Sequence, residues 1–224
     1  MGGLESLTGA AGHRGPAEIS EESVPMRRML VAASAVFALL GAASSAVGQN
    51  ETSKTSAESP GYSPQYSLLG CKWIVTQIRV AIPTPLTYYP TLKTGADRWT
   101  NANVKPNFLV NQSGTQLLSA TTENRGNTVV WTGVARRPGT VQSFPGCTSA
   151  GYWISGQMEV VLNSGLIGNY TPAQRNALAA HEFGHALGLG HNNSRIDVLM
   201  YPTDGRIVGI PQADDRNGVN AMYP

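Results

Sequence analysis

Ala179-Ala180-His181-Glu182-Phe183-Gly184-His185-Ala186-Leu187-Gly188-Leu189-Gly190-His191 is the stretch that decides how this chain folds. It follows Thr171-Pro172-Ala173-Gln174, a capping box with Thr at the N-cap, Pro at N1 and Gln at N3, so a helix is predicted from Pro172 to about Leu187. Gly188 and Gly190 supply the stop, because glycine takes the left-handed conformation past a helix end without strain. From Ala177 to Gly190 the only polar side chains are His181, Glu182 and His185. A helix that is apolar all round is buried, and burying a carboxylate with unpaired imidazoles is costly. A divalent cation offsets that cost.

The spacing agrees. His181 and His185 are i, i+4 on one helix face, so both rings reach one ion at a Zn–N distance of ~2.0–2.1 Å. Were the helix to continue, His191 would lie about 9 Å further along the axis and off that face. The break at Gly188 lets the chain turn back and deliver His191 as a third ligand. Three protein ligands leave a fourth position open, the arrangement of a catalytic rather than a structural zinc. Glu182 points about 100° away from His181, flanks that open position and is the expected general base for an activated water. A bare H-E-x-x-H also occurs by chance in core helices with two buried histidines; the longer H-E-x-x-H-x-x-G-x-x-H form includes the glycine that the geometry demands.

With these residues the chain resembles the metzincin metalloproteases, most closely the matrixins. Leu199-Met200-Tyr201-Pro202 is similar to the family's Met-turn, and Asp214–Tyr223 to its C-terminal helix. The stretches 72–82 and 154–163 fall where a matrixin has its first strand and its substrate-binding edge strand. The resemblance implies an α+β fold of the metzincin type, a twisted mixed β-sheet packed on a long active-site helix and a C-terminal helix. It implies a secreted zinc-dependent endopeptidase with one catalytic Zn2+ held by His181, His185 and His191, and Glu182 as base. Met200 would lie beneath the site, and Tyr201 and Pro202 would begin the wall of the primed-side specificity pocket. A protein or peptide substrate would bind in extended form, pairing with the 154–163 edge.

Four departures shape the expectations. Only His13 is left for a second structural zinc, so none is expected. Between residues 98 and 181 the only acids are Glu123 and Glu159, so the family's Asp-rich calcium loops are missing and calcium binding stays open. Cys71, in Leu69-Gly70-Cys71-Lys72, lacks the cysteine-switch context, so latency by thiol ligation is not expected. Asn192 replaces the usual Ser after the third histidine and reads as neutral. Two rival readings remain. A catalytically inactive metzincin-like zinc-binding module is opposed by the retention of Glu182 and all three ligands. A metal-sequestering or structural protein would carry accessory His/Cys clusters.

The remaining sequence sets the frame. At 224 residues, 41% hydrophobic and 13% charged, the chain has material for one compact domain plus a tail, and disorder is excluded. A net charge of +2 argues against nucleic acid as partner. Arg27-Arg28 precede an apolar run, 29–43, short for a membrane span of ~20 but right for a signal peptide cleaved near 46–48; an uncleaved N-terminal anchor is the alternative, and residues 1–25 are either a long n-region or lie ahead of a true start at Met26. Residues 1–48 are therefore an N-terminal extension and signal peptide, 49–67 a polar Ser/Thr/Pro-rich leader, and 68–224 the catalytic domain. The expected product is a secreted monomer with no membrane attachment after cleavage. Cys71 and Cys147, two cysteines far apart in an exported chain, are expected to pair; buried free thiols are the alternative.

Strands are expected over 72–82, 107–111, 128–134 and 154–163, the last alternating apolar and polar with Val161 as the one violation, and a helix over 90–101. Residues 133–151 read as a Gly/Pro/Ser loop. Arg136-Arg137 read as a solvated pair, Asp197 as a surface carboxylate, and Asp214-Asp215 as acids complementing a helix dipole. Trp73, Trp99 and Trp153 read as core.

Overall fold

The computed structural model describes residues 65–224. The signal-peptide stretch, His13 and most of the polar leader lie outside the described residues. Five strands and three α-helices follow in the order β1 (Gln77–Ala81), α1 (Tyr89–Thr100), β2 (Asn107–Val110), β3 (Leu118–Glu123), β4 (Gly133–Arg136), β5 (Glu159–Asn163), α2 (Pro172–Leu187), α3 (Ala213–Met222). They make an α+β fold on one sheet of order β2-β1-β3-β5-β4. The β1–β2, β1–β3 and β3–β5 pairs are parallel, and only β4 runs antiparallel, at the edge against β5. Parallel neighbours need a crossover, which α1 supplies between β1 and β2.

The core lies between the sheet and the α1–α2 pair. Ile78, Val80, Leu118, Ala120, Val160 and Leu162 meet Leu92, Trp99, Phe183 and Ala186 there. The helices approach closely because position 95 is glycine: a Cβ would stand 2.7 Å from the Ala179 carbonyl carbon. Trp99 Nε1 donates to the Ala180 carbonyl at 2.7 Å, fixing the pair in register. Helix α2 has the expected bounds. Thr171 Oγ1 accepts from Gln174 N at 3.2 Å, the Gln174 side chain accepts from Thr171 N at 2.8 Å, and Gly188 terminates the helix at φ 104°. Cys71 and Cys147 form a disulfide, Cα–Cα 6.1 Å, that fastens the segment before β1 to the loop after β4.

The strands depart most from the sequence expectations. Residues 154–163 are not a half-exposed edge: only Glu159–Asn163 is strand, and it is interior, between β3 and β4. Val161, the residue that broke the alternation, is buried on the second face against Trp131 and Val134 while Val160 faces the main core. A strand covered on both faces has no polar side to display. The true edge, β4, lies inside the stretch read as loop, and the 128–134 segment begins instead with a 3-10 turn at Gly126–Thr128. The first strand is shorter than 72–82, and β3, rich in Thr and Ser, falls where the sequence predicts no strand.

Arg136 is not solvated; its side chain is 1% exposed. It bonds Glu123 of β3 and Glu159 of β5, with Nη2 3.1 Å from Glu159 Oε2, and lies over the Trp131 ring. Carboxylates on two neighbouring strands thus bury a guanidinium that local pattern placed in solvent.

Candidate metal centre and its cleft

The helix and its break act as expected on the three histidines. His181 Nε2 lies 3.2 Å, and His185 Nε2 3.1 Å, from His191 Nε2. On the far side of the rings, His181 Nδ1 donates to the Leu199 carbonyl at 2.9 Å and His185 Nδ1 to the Leu189 carbonyl at 2.8 Å. With the proton on Nδ1, the Nε2 of each carries a lone pair, so these rings turn lone pairs toward one point. Ligands in a tetrahedral zinc shell stand about 3.3 Å apart, close to the separations seen. Burial, and then mutual repulsion, lowers His185 to about 4 and holds His181 well below the usual imidazole range. Burial also lowers His191. Neutral rings with converging lone pairs fit a divalent cation, and each carbonyl partner fixes the ring it serves.

Glu182, 4% exposed, faces the opposite wall of the cleft, which is β4. A Cβ at Gly133 would stand 2.7 Å from Glu182 Oε1, so only glycine allows the strand this close. The Ala135 backbone N–H serves the carboxylate. Burial pushes Glu182 up to about 8, against the pull of Arg206. A carboxyl poised near neutrality beside three imidazoles can take up and release a proton at working pH.

Met200, 2% exposed, packs against helix α2 at Gly184. Gly184 leaves it room: a Cβ there would collide with Met200 Sδ and approach Trp99 Cζ2 at 3.0 Å. The turn is held from α3. Asp215 accepts from Leu199 N at 2.9 Å, Met200 N at 3.1 Å and Gln212 N at 2.7 Å. Asp214 accepts from Asn192 Nδ2 at 2.8 Å and Gln65 N at 3.0 Å. These two acids, both buried, tie α3 to the Met200 turn and to the residue after His191, which is more than complementing a dipole. Asn192 is not neutral either; it is 2% exposed and also donates its backbone N–H to the Met200 carbonyl at 2.9 Å.

The cleft encloses about 540 Å³. His181, Glu182, His185 and His191 line it together with Gly133–Ala135, Phe144, Trp153 and Pro202. Pro202 lines the cleft, whereas Tyr201 is not among the lining residues and its carbonyl accepts from Arg206 Nε at 3.4 Å. Asp197 is exposed and paired with Arg195. The disulfide cysteines lie outside the lining. Sequence reasoning missed Gly133, Ala135, Asp204 and Arg206. The last two follow Met200 closely in the pocket-wall stretch, but a loop has no periodicity to mark which side chains turn inward.

The three imidazoles are the one group among the described residues with geometry for a metal ion. Residues 96–224 match the sequence model of the matrixin family. Over a 50-residue stretch, 20% of this chain, it is 48% identical to matrix metalloproteinase-27 of Homo sapiens, of which that covers 9%. A stretch of the same length is 46% identical to matrix metalloproteinase-18 of Xenopus laevis, covering 10% of it. The matched stretch thus spans about a tenth of the length of these curated relatives. A solved structure, "GM1 bound form of the ECX AB5 holotoxin", aligns with 71% of this chain and 88% of its own at 12% identity and a TM-score of 0.47, too slight a likeness to inform fold or site. A family match that runs over more than half of the sequence, and contains α2, the His191 turn and α3, makes this chain a member of the matrixin family.

Proposed function

We propose that this chain is a secreted zinc-dependent endopeptidase of metzincin type, with residues 68–224 as its catalytic domain and one catalytic zinc held by His181, His185 and His191. The observation that carries the reading is the convergence of three imidazole Nε2 atoms beside a buried carboxylate that faces an edge strand. Zinc, when bound, supplies Lewis acidity, making water a nucleophile near neutral pH and polarising the peptide carbonyl. The chain does the rest. His181 and His185 are oriented by the Leu199 and Leu189 carbonyls. Glu182 takes the proton from the attacking water and passes it to the leaving amine. The substrate lies extended along β4, whose outer side has no strand partner in the sheet, and pairs with it through the main chain. Secretion is supported by the apolar run 29–43 and by the disulfide; no helix among the described residues is long and apolar enough to cross a membrane. The working form is a monomer acting on proteins rather than nucleic acid.

Glu182→Ala tests the reading. Casein hydrolysis by zinc-loaded protein should fall at least about 100-fold while metal content stays at one per chain. Full activity in that variant would overturn the assignment.

A further inference from the structure

Arg206 is the cleft's unexplained cation. It lines the same cavity as Glu182, on the wall that Pro202 begins, and its side chain is 3% exposed. A guanidinium carries five N–H donors and cannot shed its charge, so burial obliges it to find acceptors. The protein provides few. Arg206 Nε reaches the Tyr201 carbonyl at 3.4 Å and Nη1 stands 3.5 Å from Asp204 Oδ1; Nη2 makes no hydrogen bond among the described residues and is not sealed off from solvent, so its donors open to the cleft.

Asp204 and Glu182 both attract Arg206, but neither uses up its donors: only Oδ1 of Asp204 stands near the guanidinium, at 3.5 Å, and no hydrogen bond joins Arg206 to Glu182 among the described residues. Asp204 Oδ2 accepts from Tyr170 OH at 2.6 Å and from Thr132 Oγ1 at 2.8 Å. Thr132 immediately precedes β4, so this network links the wall after Met200 to the wall on the sheet side. It holds Asp204 in place and leaves Arg206 with donors to spare. Compare Arg136, equally buried, which bonds two carboxylates and the Val141 carbonyl. One buried arginine is saturated by its fold; the other is half-satisfied and borders the cleft.

We propose that Arg206 makes this end of the cleft a carboxylate-recognising subsite, so that the enzyme prefers substrates with an acidic group just beyond the cleaved bond. The inference rests on the endopeptidase reading and names its substrate class. The planar fork matches a carboxylate through two parallel hydrogen bonds, and a neutral isostere leaves part of the fork unpaired. The acid would come from an Asp or Glu side chain or from the free C-terminus of a short peptide.

The test uses the zinc-loaded full-length secreted protein and a peptide library with defined ends. Wild type should enrich Asp and Glu at one downstream position, with matched Glu and Gln peptides differing about 10- to 100-fold in kcat/KM. Arg206→Gln should collapse that ratio toward one, and Arg206→Lys should restore part of it. Peptides ending in free acid or amide separate the two sources: loss on amidation assigns the C-terminus, indifference assigns the side chain. Absence of acidic enrichment in wild type, or an equal loss on Glu, Gln and Leu peptides in Arg206→Gln, overturns the proposal. Titrating the same peptides onto Glu182→Ala protein keeps the two readings apart. Tighter binding of acidic peptides without any wild-type turnover sinks the endopeptidase reading and keeps the subsite; equal binding of acidic and neutral peptides sinks the subsite.

Discussion

The helix wall of the cleft draws its chemistry from neighbours in sequence: His181, Glu182, His185 and His191 belong to one helix and the turn that ends it. The sheet wall is assembled from afar, since β4 reaches its place by pairing with β5, and Arg136 holds it through Glu123 of β3 and Glu159 of β5. Metal ligation needs ring nitrogens placed within tenths of an ångström, which helical periodicity supplies locally. A substrate-binding edge needs only an unpaired strand near the carboxylate, and that can come from anywhere the sheet ends. The difference predicts that damage to the helix wall abolishes metal and catalysis, whereas damage to the sheet wall registers first as lost stability.

The sharpest break would come from His191→Ala. It should reduce zinc from one per chain to near zero after dialysis and remove proteolysis, with the far-ultraviolet circular dichroism of the sheet and helices unchanged. Retained metal would show that the local ligand set is misassigned. On the other wall, Arg136→Ala leaves Glu159 without its cation and Glu123 with only the exposed Arg125, and should cost about 3–5 kcal/mol in urea unfolding. A combined Arg136→Met, Glu123→Gln, Glu159→Gln variant should recover most of that; failure to recover would mean that the guanidinium's packing, not its charge, holds β4.

Asp215→Ala sits between the walls. It strips the acceptor from three backbone N–H groups, and should cost about 2–4 kcal/mol. Because the Leu199 carbonyl orients His181, zinc affinity should also fall about 10- to 100-fold. An unchanged affinity would cut the link from α3 to the metal centre.

The smallest effect is in acid. Burial alone would raise Glu123, but hydrogen bonds from Arg136 and Arg125 outweigh it and hold the carboxyl below its ordinary range. A depressed folded pKa contributes stability that is complete above the unfolded value of about 4.3 and is lost as pH falls through the folded value. The loss of stability below that pH should be shallower in Arg136→Met, measured by thermal unfolding from pH 6 downward. An identical acid limb in both proteins would remove Glu123 from the account.

The degree to which this could be read in advance follows the same division. Thr171, Gln174 and Gly188 marked the bounds of α2 because capping is a local hydrogen-bond problem. Gly184 carries no local signal of its role, because what it makes room for, Met200 Sδ, comes from a turn beyond the helix end. Val161, by contrast, breaks the alternation expected of an exposed strand because it belongs to a strand buried on both faces. Asp214 and Asp215 read as dipole partners because their true acceptor roles involve Gln65, Asn192, Leu199 and Met200, distant in sequence.

By itself the amino-acid order determined the long helix, its stop, and the likeness of ring placement to a three-histidine metal centre, since i, i+4 spacing and a helix terminator act within a dozen residues. Only the tertiary structure decided that β4 rather than 154–163 is the edge, that Arg136 is buried while Arg206 borders the cleft, and that α3 holds the Met200 turn. Strand order and ion pairing are selected by long-range packing, whose energy no short window of sequence contains.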